Sequence, residues 1–180
     1  MRVLAVDTQS KVMAVVIVTE DSEVGVVIDA GVTHSQTLMP TIDKVLGENS
    51  LSIKDIDAYA VDVGPGSFTG IRIGVNTVNA LAYATSKRVI EFDSFDANQV
   101  KNASVKAIDC KHGNYYVKRG DTLSVESGDA LEGEEVVYLD PTRISVQSIA
   151  DAVRANISTT VEQAVPKYVR ESEAERNICV

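Results

Sequence analysis

Three aspartates each close a short apolar run: Asp7 after VLAV, Asp62 after AYAV and Asp109 after VKAI. A carboxylate at the end of a buried strand can hold a metal-bound phosphate in the cleft of a two-lobed ATPase. It is also a common turn residue. A first hairpin that grips phosphate would carry a glycine, in an Asp-x-Gly-x-Thr run. Here the hairpin reads Asp7-Thr8-Gln9-Ser10-Lys11, with no glycine, which argues against catalysis through Asp7. The histidines, His34 and His112, have no second histidine or cysteine at ligand spacing, so no metal site is expected. Cys110 and Cys179 form no Cys-x-x-Cys pair, and no Gly-x-Ser-x-Gly nucleophile elbow occurs. The sequence offers no self-sufficient active site: no catalytic residue, no metal ligand set and no cofactor assigned to this chain alone.

One glycine-rich stretch organises the remainder, VDVGPGSFTGIRIGVNTVNALAYAT from Val61 to Thr85. A strand ends at Asp62, Gly64-Pro65-Gly66 turns the chain, and a long helix starts near Ser67. Ser67 or Thr69 is suited to cap its first turn. A helix N-terminus presents unpaired N–H groups to an anion, so Gly64, Gly66 and Ser67 are candidate anion-binding positions. No lysine follows the glycines, which excludes a P-loop, and the dinucleotide fingerprint is missing too. From Gly64 to Thr85 the only charged residue is Arg72. Ile71, Val75, Val78 and Ala82 form one stripe, with Gly70, Gly74, Leu81 and Ala84 beside it. A surface helix normally keeps a charged face. This one is therefore expected to be covered on two sides, by its own domain and by another chain.

The chain has 180 residues, 44% of them apolar, and a formal net charge of −9. That acidity argues against this chain alone gripping a nucleic-acid backbone, which needs a basic patch. The cysteine usage and the early polar residues of MRVLAVDTQ fit a reduced, cytoplasmic protein without a signal peptide or membrane span. In order, Arg2–Asp7, Val12–Thr19 and Glu23–Ala30 read as a three-stranded meander. A helix is expected from Gln36 to Gly47, capped by Thr33 or Ser35, with Leu38, Met39, Ile42, Val45 and Leu46 on one face. Strands follow at Ala58–Val63 and Val89–Phe92, around the long helix. The first half thus runs β-β-β-α-β-α-β, the plan of one lobe of the actin-like ATPase (ribonuclease H-like) fold: α/β, with mixed sheets and flanking helices. After a helix at Ser94–Lys101, capped by Ser94, a second meander begins at Val105. A strand at Val136–Leu139 and a helix at Ile144–Ala155 complete it. Residues 1–93 are expected to form a first lobe, and 94–180 a reduced second lobe with a charged tail that frays.

The run GPGSFTGIRIG resembles the TsaB (YeaZ) family of tRNA threonylcarbamoyladenosine biosynthesis, in the Gcp-like superfamily. LAVDTQSKVMAVVIV is similar to that family's opening hairpin, and His34-Ser35-Gln36 with LMPTIDKVL to its first helix. AIDCKHGNYYV resembles its second-lobe opening, and AVPKYVRESEAERN its terminal segment. Paired metal-binding histidines mark the larger catalytic relative, TsaD; the matching place here reads FDSFDANQ. The resemblance therefore implies the non-catalytic partner, which activates TsaD by dimerising with it and is a homodimer when alone. It implies a TsaE-type ATPase in the full complex, ATP used by those partners, and tRNA met only indirectly. It also implies that the first-lobe helices form the interface, through Leu38, Ile42, Val45, Gly70, Ile71, Gly74, Val75, Val78 and Leu81. Gly70 and Gly74, one turn apart, are expected to admit a partner helix. Two departures stand out: the second lobe is short, and Asn79-Ala80 replaces a glycine common in the long helix. Competing readings are an autonomous actin-like ATPase or kinase, and a glycopeptidase-like protease.

Overall fold

β-Branched runs and the two helical periods generate two sheets in the computed structural model, which describes residues 1–31, 33–98 and 103–169. Strands β1 (Val3–Asp7), β2 (Val12–Val18) and β3 (Glu23–Asp29) form the expected antiparallel meander. Helix α1 (His34–Glu48) leads to β4 (Ala58–Asp62), α2 (Phe68–Thr85) and β5 (Arg88–Phe92). β1, β4 and β5 pair in parallel, with Val3 beside Ala58 and Ala58 beside Arg88. Strands β6 (Val105–Asp109), β7 (Asn114–Arg119), β8 (Thr122–Ser127) and β9 (Val136–Leu139) make the second sheet, in the order β8-β7-β6-β9. The architecture is the actin-like α/β arrangement of two mixed sheets with flanking helices.

The first sheet is buried on both faces, as a parallel core requires. One side of its alternation, Leu4, Val6, Met13, Val15 and Ile17, packs on Leu38, Ile42 and Val45 of α1 and Ile71, Val75 and Val78 of α2. The other side carries smaller residues, among them Val3, Ala5, Ala14 and Ala60. Against these lie Ile149, Ala150 and Val153 of α4 (Val146–Ala155). The alanines let α4 sit close to the sheet.

This placement of α4 revises the expected lobe boundary. The helix belongs to the first sheet, and the short β10 (Thr160–Val161) extends that sheet by pairing with β5. Arg154 of α4 fastens it by donating to the Thr19 carbonyl and pairing with Glu23. The chain thus leaves the first lobe after β5, builds the second sheet, and returns. The expected helix at Ser94–Lys101 is α3 (Ser94–Ala97), and Asp93 rather than Ser94 caps it, accepting from the Phe95 and Asp96 N–H groups. Positions 99–101 of that expectation, and the charged tail past 169, lie outside the described residues. Among the described residues no helix is long and apolar enough to cross a membrane.

Val75 is 1% exposed within the single chain. Replacing it by glutamate is expected to destabilise the fold itself by more than about 3 kcal/mol, because the charge has no partner in that core. Denaturant unfolding of the monomeric domain checks this.

Candidate functional site

The glycines of the loop and of α2 face the first hairpin. A Cβ at Gly66 would meet the side chain and carbonyl of Gln9; one at Gly70 would overlap the Thr8 carbonyl oxygen. At Gly74 it would meet the Thr8 hydroxyl. Spaced four residues apart, the three form a groove along one side of α2, and the Thr8-Gln9 turn fills it. Polar contacts complete the seat. The Thr8 hydroxyl donates to the Gly70 carbonyl at 2.7 Å, and the Ser67 N–H donates to the Gln9 carbonyl at 2.7 Å. Ser67 caps α2 by accepting the Gly70 N–H at 3.2 Å.

This seat revises two readings of the sequence. The groups expected to cradle an anion are committed within the chain: Gly64 N–H to Asp62 at 2.7 Å, and Ser67 as above. Gly66 is packed on Gln9. Gly70 and Gly74 receive the chain's own hairpin, not a partner helix. Likewise Leu38, Ile42, Val45, Ile71, Val75 and Val78 are at most 2% exposed and form the first lobe's core. They have no surface left to offer another chain. Of the expected interface set, only Leu81 is partly exposed.

The low charge of α2 nevertheless persists on its outward side. Asn76, Ala80, Tyr83 and Ala84 are exposed, Ile73, Thr77 and Leu81 half-buried, and none is charged. On α1 the exposed residues include Met39 and Pro40. The lone cation, Arg72, is engaged by the C-terminal segment. Its guanidinium lies 4.0 Å from the Phe68 ring centroid, and its Nε donates to the Tyr168 hydroxyl at 2.9 Å. Asn79 holds the same segment at two points, accepting the Ala164 N–H at 2.9 Å and donating to the Ala164 carbonyl at 3.0 Å. Asn79 thus has a definite role in this chain, as the anchor of the C-terminal segment. These long-range clasps were missed by sequence reasoning; an isolated polar side chain inside an uncharged helix was the available signal.

Asp7 and Asp62 come together, and Asp109 does not. The pair is 0% and 1% exposed. Burial, partly offset by the bond from the Gln9 N–H and by contact with Asp62, raises Asp7 to about 6. Burial and then the neighbouring Asp7 raise Asp62 well above the ordinary carboxylate range. Asp109 is exposed and accepts the Lys111 N–H at 2.7 Å. It lines a cleft of about 790 Å³ between the glycine loop and the second sheet, together with Gln9, Ser67, Lys111, Tyr116 and Tyr168. His34 also lines the cleft, its Nε2 bound to the Ser10 carbonyl at 2.6 Å; His112 sits in an exposed turn. Cys110 is half-buried, and Cys179 lies outside the described residues. Among the described residues no cluster of three or more His, Cys, Asp or Glu is placed to hold a metal.

A protein-family model described as "TsaD: tRNA N6-adenosine threonylcarbamoyltransferase" matches residues 17–143. The TsaB protein of Haemophilus influenzae, named a tRNA threonylcarbamoyladenosine biosynthesis protein, is 28% identical over 144 residues, 74% of this chain and 61% of the relative. Escherichia coli TsaB is 31% identical over 124 residues, 64% of this chain and 53% of the relative. The chain belongs to this family, in its TsaB (YeaZ) branch. The matches span about half to three-fifths of those curated relatives' length. A Staphylococcus aureus tRNA N6-adenosine threonylcarbamoyltransferase is 46% identical over 57 residues, 32% of this chain and 17% of that enzyme. For the fold, a Pseudomonas aeruginosa structure titled YeaZ superposes with a TM-score of 0.74 at 23% identity, covering 93% of this chain and 99% of that one.

The glycine seat has a direct consequence. Gly70→Ala is expected to cost about 1–3 kcal/mol, since the new methyl collides with backbone rather than with a movable side chain. Thermal and denaturant melts of the variant check it, and unchanged stability would contradict the seat.

Proposed function

We propose that this chain is a non-catalytic subunit for threonylcarbamoyladenosine formation on tRNA, activating a TsaD-type transferase by pairing with it. The observation that carries the reading is the outward side of α2: exposed, helical and without charge from Ile73 to Ala84. Leaving such a surface in water is costly relative to covering it, and interface cores are depleted of charge in the same way. The contact uses Ile73, Asn76, Ala80, Leu81 and Ala84 of α2, with Met39 and Pro40 of α1. Family membership supports a TsaD-type partner, and in this reading the same surface serves a homodimer when the chain is alone.

Neither Asp7 nor Asp62, which end β1 and β4, lines the cleft, and Gly66, Gly70 and Gly74 are packed on Thr8 and Gln9. This supports a division of labour in the cytoplasm. ATP is used by the partners, a TsaE-type ATPase among them, and the tRNA is met through TsaD.

Reconstitution tests this. Added to its cognate TsaD, with a threonylcarbamoyl-adenylate supply and unmodified tRNA, the chain should switch on modification; alone it should hydrolyse no ATP. Ala80→Glu and Ala84→Glu place charge on exposed positions, so stability should change by no more than about 0.5 kcal/mol. Heterodimer affinity should drop at least ~30-fold, or about 2 kcal/mol. Modification should fall with it and recover at higher subunit concentration. Full modification by a variant that folds and fails to bind would refute the proposal.

A further inference from the structure

The buried carboxylates have no role in the function proposed above, and their surroundings ask for a proton. Asp7 Oδ1 accepts the Gln9 N–H at 3.0 Å, and Asp62 Oδ1 accepts the Gly64 N–H at 2.7 Å. The second oxygen of each side chain is buried and meets no donor from elsewhere in the described protein. Val6 and Val61 pair on adjacent parallel strands, so Asp7 and Asp62, the next residue on each, are neighbours at the same end of the sheet. Two acceptors face each other, and a bond between them requires a hydrogen.

Among the described residues no cation supplies the missing charge. Lys118 of β7 is turned to Asp93, at 2.5 Å, and to Asp96 of α3. Asp93, at the end of β5, adds negative charge to the surroundings of Asp62. Arg72, the only charge on α2, is held outside by Phe68 and Tyr168. Ser94 points the same way. Its single hydroxyl proton has two oxygens to serve, Asp62 Oδ1 at 3.0 Å and the Pro65 carbonyl at 2.8 Å. Ser94 therefore gives Asp62 at most a shared bond, and on Oδ1, which leaves the second oxygens of the pair still without a hydrogen.

We propose that Asp7 and Asp62 share one proton at neutral pH, and that this proton locks the Gly64–Gly66 loop to the joint between the two lobes. The joint is narrow. Asp62 holds the Gly64 N–H, and the Ser94 N–H donates to the Gly64 carbonyl at 3.2 Å just where the chain departs for the second sheet. Removing the shared proton leaves two adjacent buried charges, which only water can relieve, so the loop must open. The lock therefore ties the start of α2 to pH.

The sign follows from the raised affinity for protons. Both groups bind protons more tightly folded than unfolded, so their contribution to stability is full below the unfolded value of 3.8. It declines as pH rises through the folded value of about 6 for Asp7. It is lost further as the shared proton leaves Asp62.

Infrared difference spectroscopy and amide exchange on the full chain test the lock without any partner. At pH 7 the wild type should show the C=O stretch of a protonated carboxyl, and both Asp7→Asn and Asp62→Asn should lose it. Between about pH 6, above which the closed pair holds a single proton, and the pH at which that proton leaves, the logarithm of the exchange rate at Gly64 and Ser94 should rise with slope about 2 against pH. Ordinary base-catalysed exchange gives about 1; the extra unit is the proton released on opening. In Asp62→Asn, whose amide can donate to Asp7 at any pH, the slope should return to about 1. Absence of the carboxyl band at pH 7, or a slope of about 1 in the wild type, would overturn the proposal. Loss of the band on adding Mg²⁺ at neutral pH would overturn it too, by making the pair a cation site. Should the asparagine variants fail to fold, the wild-type band and slope alone decide.

Discussion

Everything in the first lobe depends on how closely α2 lies on the turn between β1 and β2. A helix normally stands off a sheet by the length of its side chains. Here Gly66, Gly70 and Gly74 remove those side chains along one line, and the Thr8-Gln9 turn enters the gap. The helix is then fixed in height by backbone contact and in register by the Thr8 hydroxyl on the Gly70 carbonyl. With α2 so placed, its large residues Ile71, Val75 and Val78 reach the sheet. Its remaining side is turned outward, and that side carries no charge between Ile73 and Ala84.

The same contact accounts for what the glycine motif does not do. A glycine-rich turn ahead of a helix is a good anion cradle only while its N–H groups are free. In this chain the Gly64, Ser67 and Gly70 N–H groups are spent on Asp62, Gln9 and Ser67, and neither Asp7 nor Asp62 lines the cleft. The turn is packed on Gln9 on one side, while Gly66, Ser67 and Phe68 line the cleft on the other. What the actin-like frame presents is an uncharged helix surface, the one that the proposed pairing uses.

Much of this was legible in the sequence, because it rests on local pattern. The meander, the crossover and the long helix follow from periodicity and turn residues, and Ser67 as the cap follows from side-chain chemistry. The single charge on α2, Arg72, marked the helix as unusual. Periodicity could not say which stripe faces in. Leu38, Ile42, Val45, Ile71, Val75 and Val78 look the same whether they meet their own sheet or another chain, and burial within the monomer decides for the sheet. The glycine groove was illegible for a related reason, since its occupant, Thr8, lies 62 residues from Gly70. The return of α4 and β10 to the first sheet is a matter of topology that no local signal in residues 144–161 announces.

In the function proposed here, the outward side of α2 is where this chain meets its catalytic partner. A photo-crosslinking residue placed at Ala84 reads that contact directly, with one at the exposed Asp121 of the second sheet as control. The account predicts an adduct with TsaD from position 84, at the mass of a heterodimer, and none from position 121. Adducts from position 121 with none from position 84 would contradict it.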